Sequence, residues 1–388
     1  MLASAGLPPG QDPRRRATAV RGRIANDGRH QGDRILSALF FAGPPNPVTR
    51  QHFYARTPLE EGRLDWTDRA DIDFAVQQFA SAGLNTMKLS YFGHRGETDA
   101  FAPAWLFSRQ RWDGPGTYTE AEQISRVVEL FDTARQRDLL IAPMLEVSPE
   151  FRFWEAFPAD LDGLVERAVW LLGNFGDQPN HLKLYDALGQ ERHVIWLIES
   201  IHGGPIDPLV FAAGFDRAAE LIRRRTGHQV GMIVDPTPLP GFGSHEGPDP
   251  AALRDTPSVL AVNPYNITSQ SLGPRKPQAA ITEDERLAYA RGILTRWNDS
   301  GIPFVAPVIP GFDDRHLPFR DDPAVYGFNL QWRQRQRALA LEFATAGLSV
   351  ETWNGYSEAH AIVPTVEDGG NHLLWLRDIV LGLRRRWR

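Results

Sequence analysis

Cysteine is absent from all 388 residues, so disulfides, thiolate nucleophiles and Cys-ligated zinc are excluded. That absence suits either side of a membrane, and the expected protein is soluble, either cytoplasmic or secreted with a signal already removed. No apolar run approaches the roughly 20 residues that cross a bilayer, so no membrane partner is expected. A basic surplus is missing too: 42 Lys and Arg face 48 Asp and Glu, a net charge of −6. Phosphate backbones call for a basic face, so nucleic acid is not expected as a partner. The densest basic cluster, Arg384-Arg385-Arg386-Trp387-Arg388, reads as a solvated helix end that places positive charge near a helix C-terminus. Nothing in the sequence sets an oligomeric state.

Several catalytic signatures are also missing. The chain has no Gly-x-Ser-x-Gly elbow, no His-Glu-x-x-His helix and no His-x-His pair after its first strand, which removes support for a serine α/β-hydrolase or a compact zinc site. His202, His228, His245 and His360 are scattered and read as structural or loop histidines. Neither a metal nor an organic cofactor is expected. Gly241-Phe242-Gly243-Ser244-His245-Glu246-Gly247 lacks a following Lys-Ser/Thr and lies among prolines, so it reads as a lid and not as a phosphate loop.

What is present is an alternation. Residues 1–34, rich in Pro, Gly and Arg, read as a flexible leader. From Ile35 onward, short apolar runs that read as buried strands (35–41, 84–89, 139–145, 193–198, 229–234, 258–262, 303–309 and 348–352) alternate with helix patterns (70–82, 120–137, 161–172, 208–225, 283–298, 327–346 and 372–385). About eight strand-then-helix units favour an α/β fold, a (β/α)₈ TIM barrel with long βα loops, with residues 35–388 as a single catalytic domain. The competing doubly wound sheet calls for a glycine fingerprint after the first strand, and none is there. The polar stretch His181 to Asp186 reads as a hairpin or an extra rim element, without a chemical role.

In such barrels the working residues stand at the C-terminal ends of the strands. The residues falling there are Tyr91 and His94, Glu146, Glu199 with His202, Asp235, Asn263 with Tyr265, Asp313 with Arg315, and Asn354 with Glu358. A lone carboxylate at such a place is usually a helix cap or a solvated charge. Several around one mouth, beside Tyr91, Phe92, Tyr265, Trp353 and Tyr356, are what sugar binding and glycosidic cleavage use: a flat apolar platform and a pair of carboxyl groups.

The segment Thr352-Trp353-Asn354-Gly355-Tyr356-Ser357-Glu358-Ala359-His360 resembles the Thr-Trp-Asn-Asp-Tyr-Gly-Glu-Ser-His stretch of α-1,3-glucanases, glycoside hydrolase family seventy-one. It is similar to the Trp-Asn-Glu-Trp-His-Glu-Gly stretch of the endo-α-mannosidases, family ninety-nine. Ser90-Tyr91-Phe92-Gly93 resembles, less closely, the Ser-Trp-Trp-Gly segment of the mannosidase group. The resemblance implies a barrel that cuts α-linked glycans, with a carboxylate pair in the segment after the last strand. Here the second member of that pair is kept as Glu358 and the first is Gly355, which cannot transfer a proton.

Three readings follow. In the first, a glycoside hydrolase draws its second carboxylate from another strand end: Glu199 first, Asp235 second, with Glu146 and Asp313 as further alternatives. Glu358 is then acid or base, Asn354 and His360 position hydroxyls, and Trp353 or Tyr356 forms a platform. In the second, a sugar-binding barrel has lost catalysis with the acid at 355. The third is a metal-dependent barrel hydrolase.

Overall fold

Along Thr86–Tyr91 the polar residues Thr86, Lys88 and Ser90 alternate with Met87 and Leu89. A strand has a side-chain period of two, so the two sets face opposite ways. Met87 and Leu89 pack into the core shared with the helices, while Lys88 is wholly buried and meets Glu351 and Asn263, each just past the end of another strand. The same alternation in Ile35–Phe40 sends Ile35 and Leu39 to an inner cluster and Leu36, Ala38 and Phe40 to the outer one. Two cores on the two faces of one sheet mean that both faces are covered, as in parallel α/β folds.

The computed structural model describes residues 20–40, 59, 69–91, 119–146, 161–198, 208–236, 250–265, 267–268, 277–315, 322–355 and 358–388. The elements in chain order are β1 (Ile35–Phe40), α1 (Arg69–Ser81), β2 (Thr86–Tyr91), α2 (Glu120–Arg135), β3 (Leu140–Glu146), α3 (Leu161–Phe175), β4 (Lys183–Tyr185), β5 (Glu191–Ile198) and α4 (Pro208–Thr226). They continue with β6 (Val230–Val234), α5 (Pro250–Arg254), β7 (Val259–Val262), α6 (Glu283–Asn298), β8 (Val305–Val308), β9 (Phe312–Asp313), β10 (Val325–Tyr326), α7 (Leu330–Phe343), β11 (Gly347–Val350) and α8 (Asn371–Trp387).

The parallel sheet runs β7-β6-β5-β3-β2-β1-β11-β8. A parallel bridge between Val262 and Phe304, with the Val262 amide donating to the Pro303 carbonyl at 3.0 Å, joins its two ends. Eight strands in sequential order with a helix after each make the (β/α)₈ TIM barrel that the alternation predicts. Local chemistry starts the helices where the pattern places them: α2 and α6 each carry a Thr/Glu capping box, Thr119 with Glu122 and Thr282 with Glu285.

One short element agrees with the sequence reading as a hairpin, and two features differ from it. His181 to Asp186 contributes β4, which pairs antiparallel with β5; Asp186 holds the turn by accepting from the Leu188 and Gln190 amides and the Arg192 guanidinium. The loop after β8 contains an antiparallel pair, β9 with β10, too short to show a period. The flexible leader is corrected over its last fifteen residues, Val20 to Arg34. Ile24 is fully buried in the inner core, the Gly22 and Ala25 amides donate to Tyr185 and Lys183, and the Arg21 guanidinium donates to the Arg254 and Val259 carbonyls. Composition marks this stretch as unstructured, but its one apolar pair, Ile24-Ala25, closes the end of the barrel where the strands begin.

Candidate active site

β11 ends at Val350, so Glu351 to Gly355 leave its C-terminal end as a loop, and Glu358 to His360 return to it. The Trp353 amide donates to Leu39 O at 2.7 Å, which lays the loop along β1. His360 folds back over it: its amide donates to Gly355 O at 3.1 Å, and its carbonyl accepts from the Thr352 amide at 3.1 Å. The His360 ring is fully buried and meets Phe312 edge-on at 5.7 Å. This fold-back explains the glycine. A Cβ at 355 would lie 2.2 Å from the His360 ring and 2.3 Å from Thr352 Oγ1, so the space for a side chain is filled by imidazole.

Glu358 stands on the outer limb of the same loop, its side chain 22% exposed, with Oε2 3.3 Å from His360 Nε2. That separation is an ion-pair distance without hydrogen-bond alignment, and among the described residues both ring nitrogens of His360, together with Thr352 Oγ1, are buried with no hydrogen-bond partner. The backbone of the loop is tied to the β9 hairpin, where the Asp313 amide donates to Glu358 O at 2.8 Å. The Asp313 carboxylate is committed to its neighbour: Arg315 Nε and Nη2 approach at 2.9 and 2.6 Å, which raises the Arg315 pKa.

Beneath this loop lies a buried polar network that the sequence reading missed. Lys88 Nζ is 2.8 and 3.0 Å from the two Glu351 carboxylate oxygens, 2.9 Å from Ser349 Oγ and 3.5 Å from Asn263 Oδ1. Both charged side chains are fully buried. Asn263 Oδ1 also accepts from the Trp196 indole at 3.1 Å, and its amide group donates to Val305 O at 3.0 Å. The Lys88 ammonium lies 4.9 Å from the Trp196 ring and 5.7 Å from that of Tyr265, within cation–π range. Asp235 Oδ1 accepts from the Tyr265 amide at 3.1 Å. The signal for Lys88 was in the sequence: a lysine inside a strand whose other residues are apolar or small needs a buried partner of opposite charge.

The structure thus brings together Asn263, Tyr265 and Asp235 around one network and Glu358, His360 and Asp313 around another, joined through Glu351 and Thr352. Asn354 is half-buried beside them. Trp353 is a correction. Rather than offering a platform at the mouth, it is buried in the outer core, 4.8 Å from the Phe79 ring of α1, because the hydrogen bond to Leu39 turns its side chain toward the helices. Glu199, Tyr356 and His94 lie outside the described residues, as do the side chains of Tyr91 and Glu146. Among the described residues no three His, Asp or Glu side chains cluster as a metal site would require, and no helix is long and apolar enough to cross a membrane.

No family profile and no curated protein sequence matches this chain. Solved structures do. A family 99 endo-α-mannosidase from Bacteroides thetaiotaomicron superposes with a TM-score of 0.59 at 15% identity, covering 90% of this chain and 97% of that one. A structure described as a glycoside hydrolase-like protein gives 0.55 at 12% identity, over 90% and 94%. A family 5 mannosidase from Rhizomucor miehei gives 0.51 at 11%, over 95% and 98%. At such identities the likeness is one of architecture: the chain has the (β/α)₈ fold of these glycoside hydrolases.

Proposed function

We propose that the protein is a glycoside hydrolase acting on an α-linked glycan, with Glu358 as acid or base at the C-terminal mouth of the barrel. The observation that carries this reading is the placement of Glu358: just past the last strand, in contact with solvent, and beside the buried imidazole of His360. Glycosidic cleavage needs one carboxyl group to protonate the leaving oxygen and another to assist attack, about 5–5.5 Å away for retention or about 6.5–9.5 Å for inversion. Gly355 cannot supply the partner, so it comes from across the mouth: Glu199 after β5 first, Asp235 after β6 second. Asn263, Asn354, Tyr265, Tyr356, Tyr91, His94, Glu146 and Asp313 are proposed as groups lining the sugar site, with Tyr356 as a platform in place of the buried Trp353. The α-linkage rests on the resemblance of the 352–360 segment, and no cofactor enters the reaction.

Reducing-sugar release from α-mannan and α-1,3-glucan oligosaccharides tests the assignment. Replacing Glu358 with Gln is expected to lower turnover by about 10²–10⁴-fold, the usual worth of a positioned proton-transfer group; unchanged turnover removes Glu358 from the chemistry. A second reading, a sugar-binding barrel without catalysis, is favoured by one observation: no room exists at 355 for the lost acid. Calorimetry showing saturable oligosaccharide binding by wild-type protein that releases no sugar selects it.

A further inference from the structure

At the opposite end of the barrel from the mouth, a cleft of about 390 Å³ opens between the segment that precedes β1 and the C-terminal end of α8. Its floor is Leu36 and Asn85, both buried, and its walls are cationic. Arg23, Arg29 and Arg34 come from the N-terminal segment, Arg384 from α8 and Arg388 from the cap that follows it. Asp33 is the carboxylate facing them, and it pairs with His30 at 3.2 Å. Arg29 pairs with Asp138 at 3.4 Å. Arg34 and Arg384 each spend a donor on a backbone carbonyl, Thr345 O at 2.6 Å and Gly83 O at 2.8 Å. Those bonds hold the guanidinium groups in place and leave their charge uncancelled. Arg34 is further fixed against the Trp387 ring at 5.0 Å. Among the described residues the side chains of Arg23 and Arg388 have neither a hydrogen bond nor an ion pair.

Positive charge at the end of α8 complements the helix dipole, but that effect is worth only about 0.3–1 kcal/mol. It does not account for two more arginines arriving from a segment 350 residues away and facing the same concavity, in a chain whose net charge is −6. Guanidinium groups present paired donors that match phosphate oxygens, and the volume lies in the range of small-molecule sites. We propose that this cleft is a binding site for a small, multiply charged phosphate compound, remote from the mouth and independent of the hydrolytic reading.

Calorimetric titration of the full chain with sodium tripolyphosphate, at ionic strength held constant with NaCl, tests it. Saturable one-to-one binding is expected. The double variant Arg23→Gln/Arg388→Gln is expected to weaken it about tenfold or more, as loss of charge-assisted hydrogen bonds does. Arg23→Lys/Arg388→Lys keeps the charge and is expected to lose less, and Arg296→Gln on α6 is expected to bind as wild type. Because neither altered side chain is bonded within the described structure, the thermal midpoint without ligand should stay constant. The proposal is overturned by an absence of saturable heat, or by equal weakening in the Arg296 control and the double variant, which would mark diffuse screening and no site.

Discussion

His360 fills the space that a side chain at position 355 would need. Its ring lies 2.2 Å from where a Cβ at 355 would be, so restoring the acid by itself overpacks a closed site. Gly355→Asp is expected to lose about 1–3 kcal/mol of stability, the usual cost of overpacking, measured by urea denaturation. Adding His360→Ala should recover much of that loss, since the two residues compete for one space and their effects are then non-additive; equal losses with and without His360 would show that the collision is not the cause. At this scale the sequence was partly legible. Glu358 stood out through its neighbours in the chain, and the glycine was visible as a departure, but its cause was not, because the crowding arises only when His360 returns over Thr352 and Gly355.

β2 and β11 flank β1 in the barrel wall, and the Lys88–Glu351 pair ties the interior face of β2 to the residue just beyond the end of β11. Taking both charges out of water is costly, and each makes the other tolerable. Lys88→Met is expected to destabilise by about 3–5 kcal/mol, because it leaves a buried carboxylate uncompensated. Lys88→Met/Glu351→Leu should lose less than either single change; a double variant weaker than both would show that Ser349 and Asn263 depend on the pair. Chemical denaturation of the three variants decides it. The strands themselves were legible to within a few residues from apolar runs bounded by turns. Short irregular elements such as β9 and β10 were not, since two residues cannot display a period.

Three histidines meet where α3, β5 and α4 converge: His181 edge-on to His193 at 5.3 Å and His193 tilted against His228 at 4.6 Å. Burial, followed by the neighbouring His193, lowers the His181 pKa to about 3; burial, followed by His228, lowers that of His193 to about 4. Both are therefore neutral in the fold across a range where the unfolded chain takes up protons. Their contribution to stability is complete above pH 6.5 and is lost as pH falls from there toward 3 to 4. For the fully buried His181 the slope is about 1.4 kcal/mol per pH unit. Urea midpoints should fall through this window, and less steeply in His181→Gln; parallel pH curves for the two proteins would sink the assignment. On the scale of the whole molecule, the sequence by itself determined the barrel. Alternation of buried strands and amphipathic helices is a local property, and eight such units have few ways to bury both faces of a sheet. Only the tertiary structure decided which side chains face one another. It joined Lys88 to Glu351, turned Trp353 away from the mouth, filled the space at 355 with His360 and drew residues 20–34 under the strands. Each of these depends on approach between residues far apart in the chain or on a reversal of the backbone, and neither is written in local periodicity.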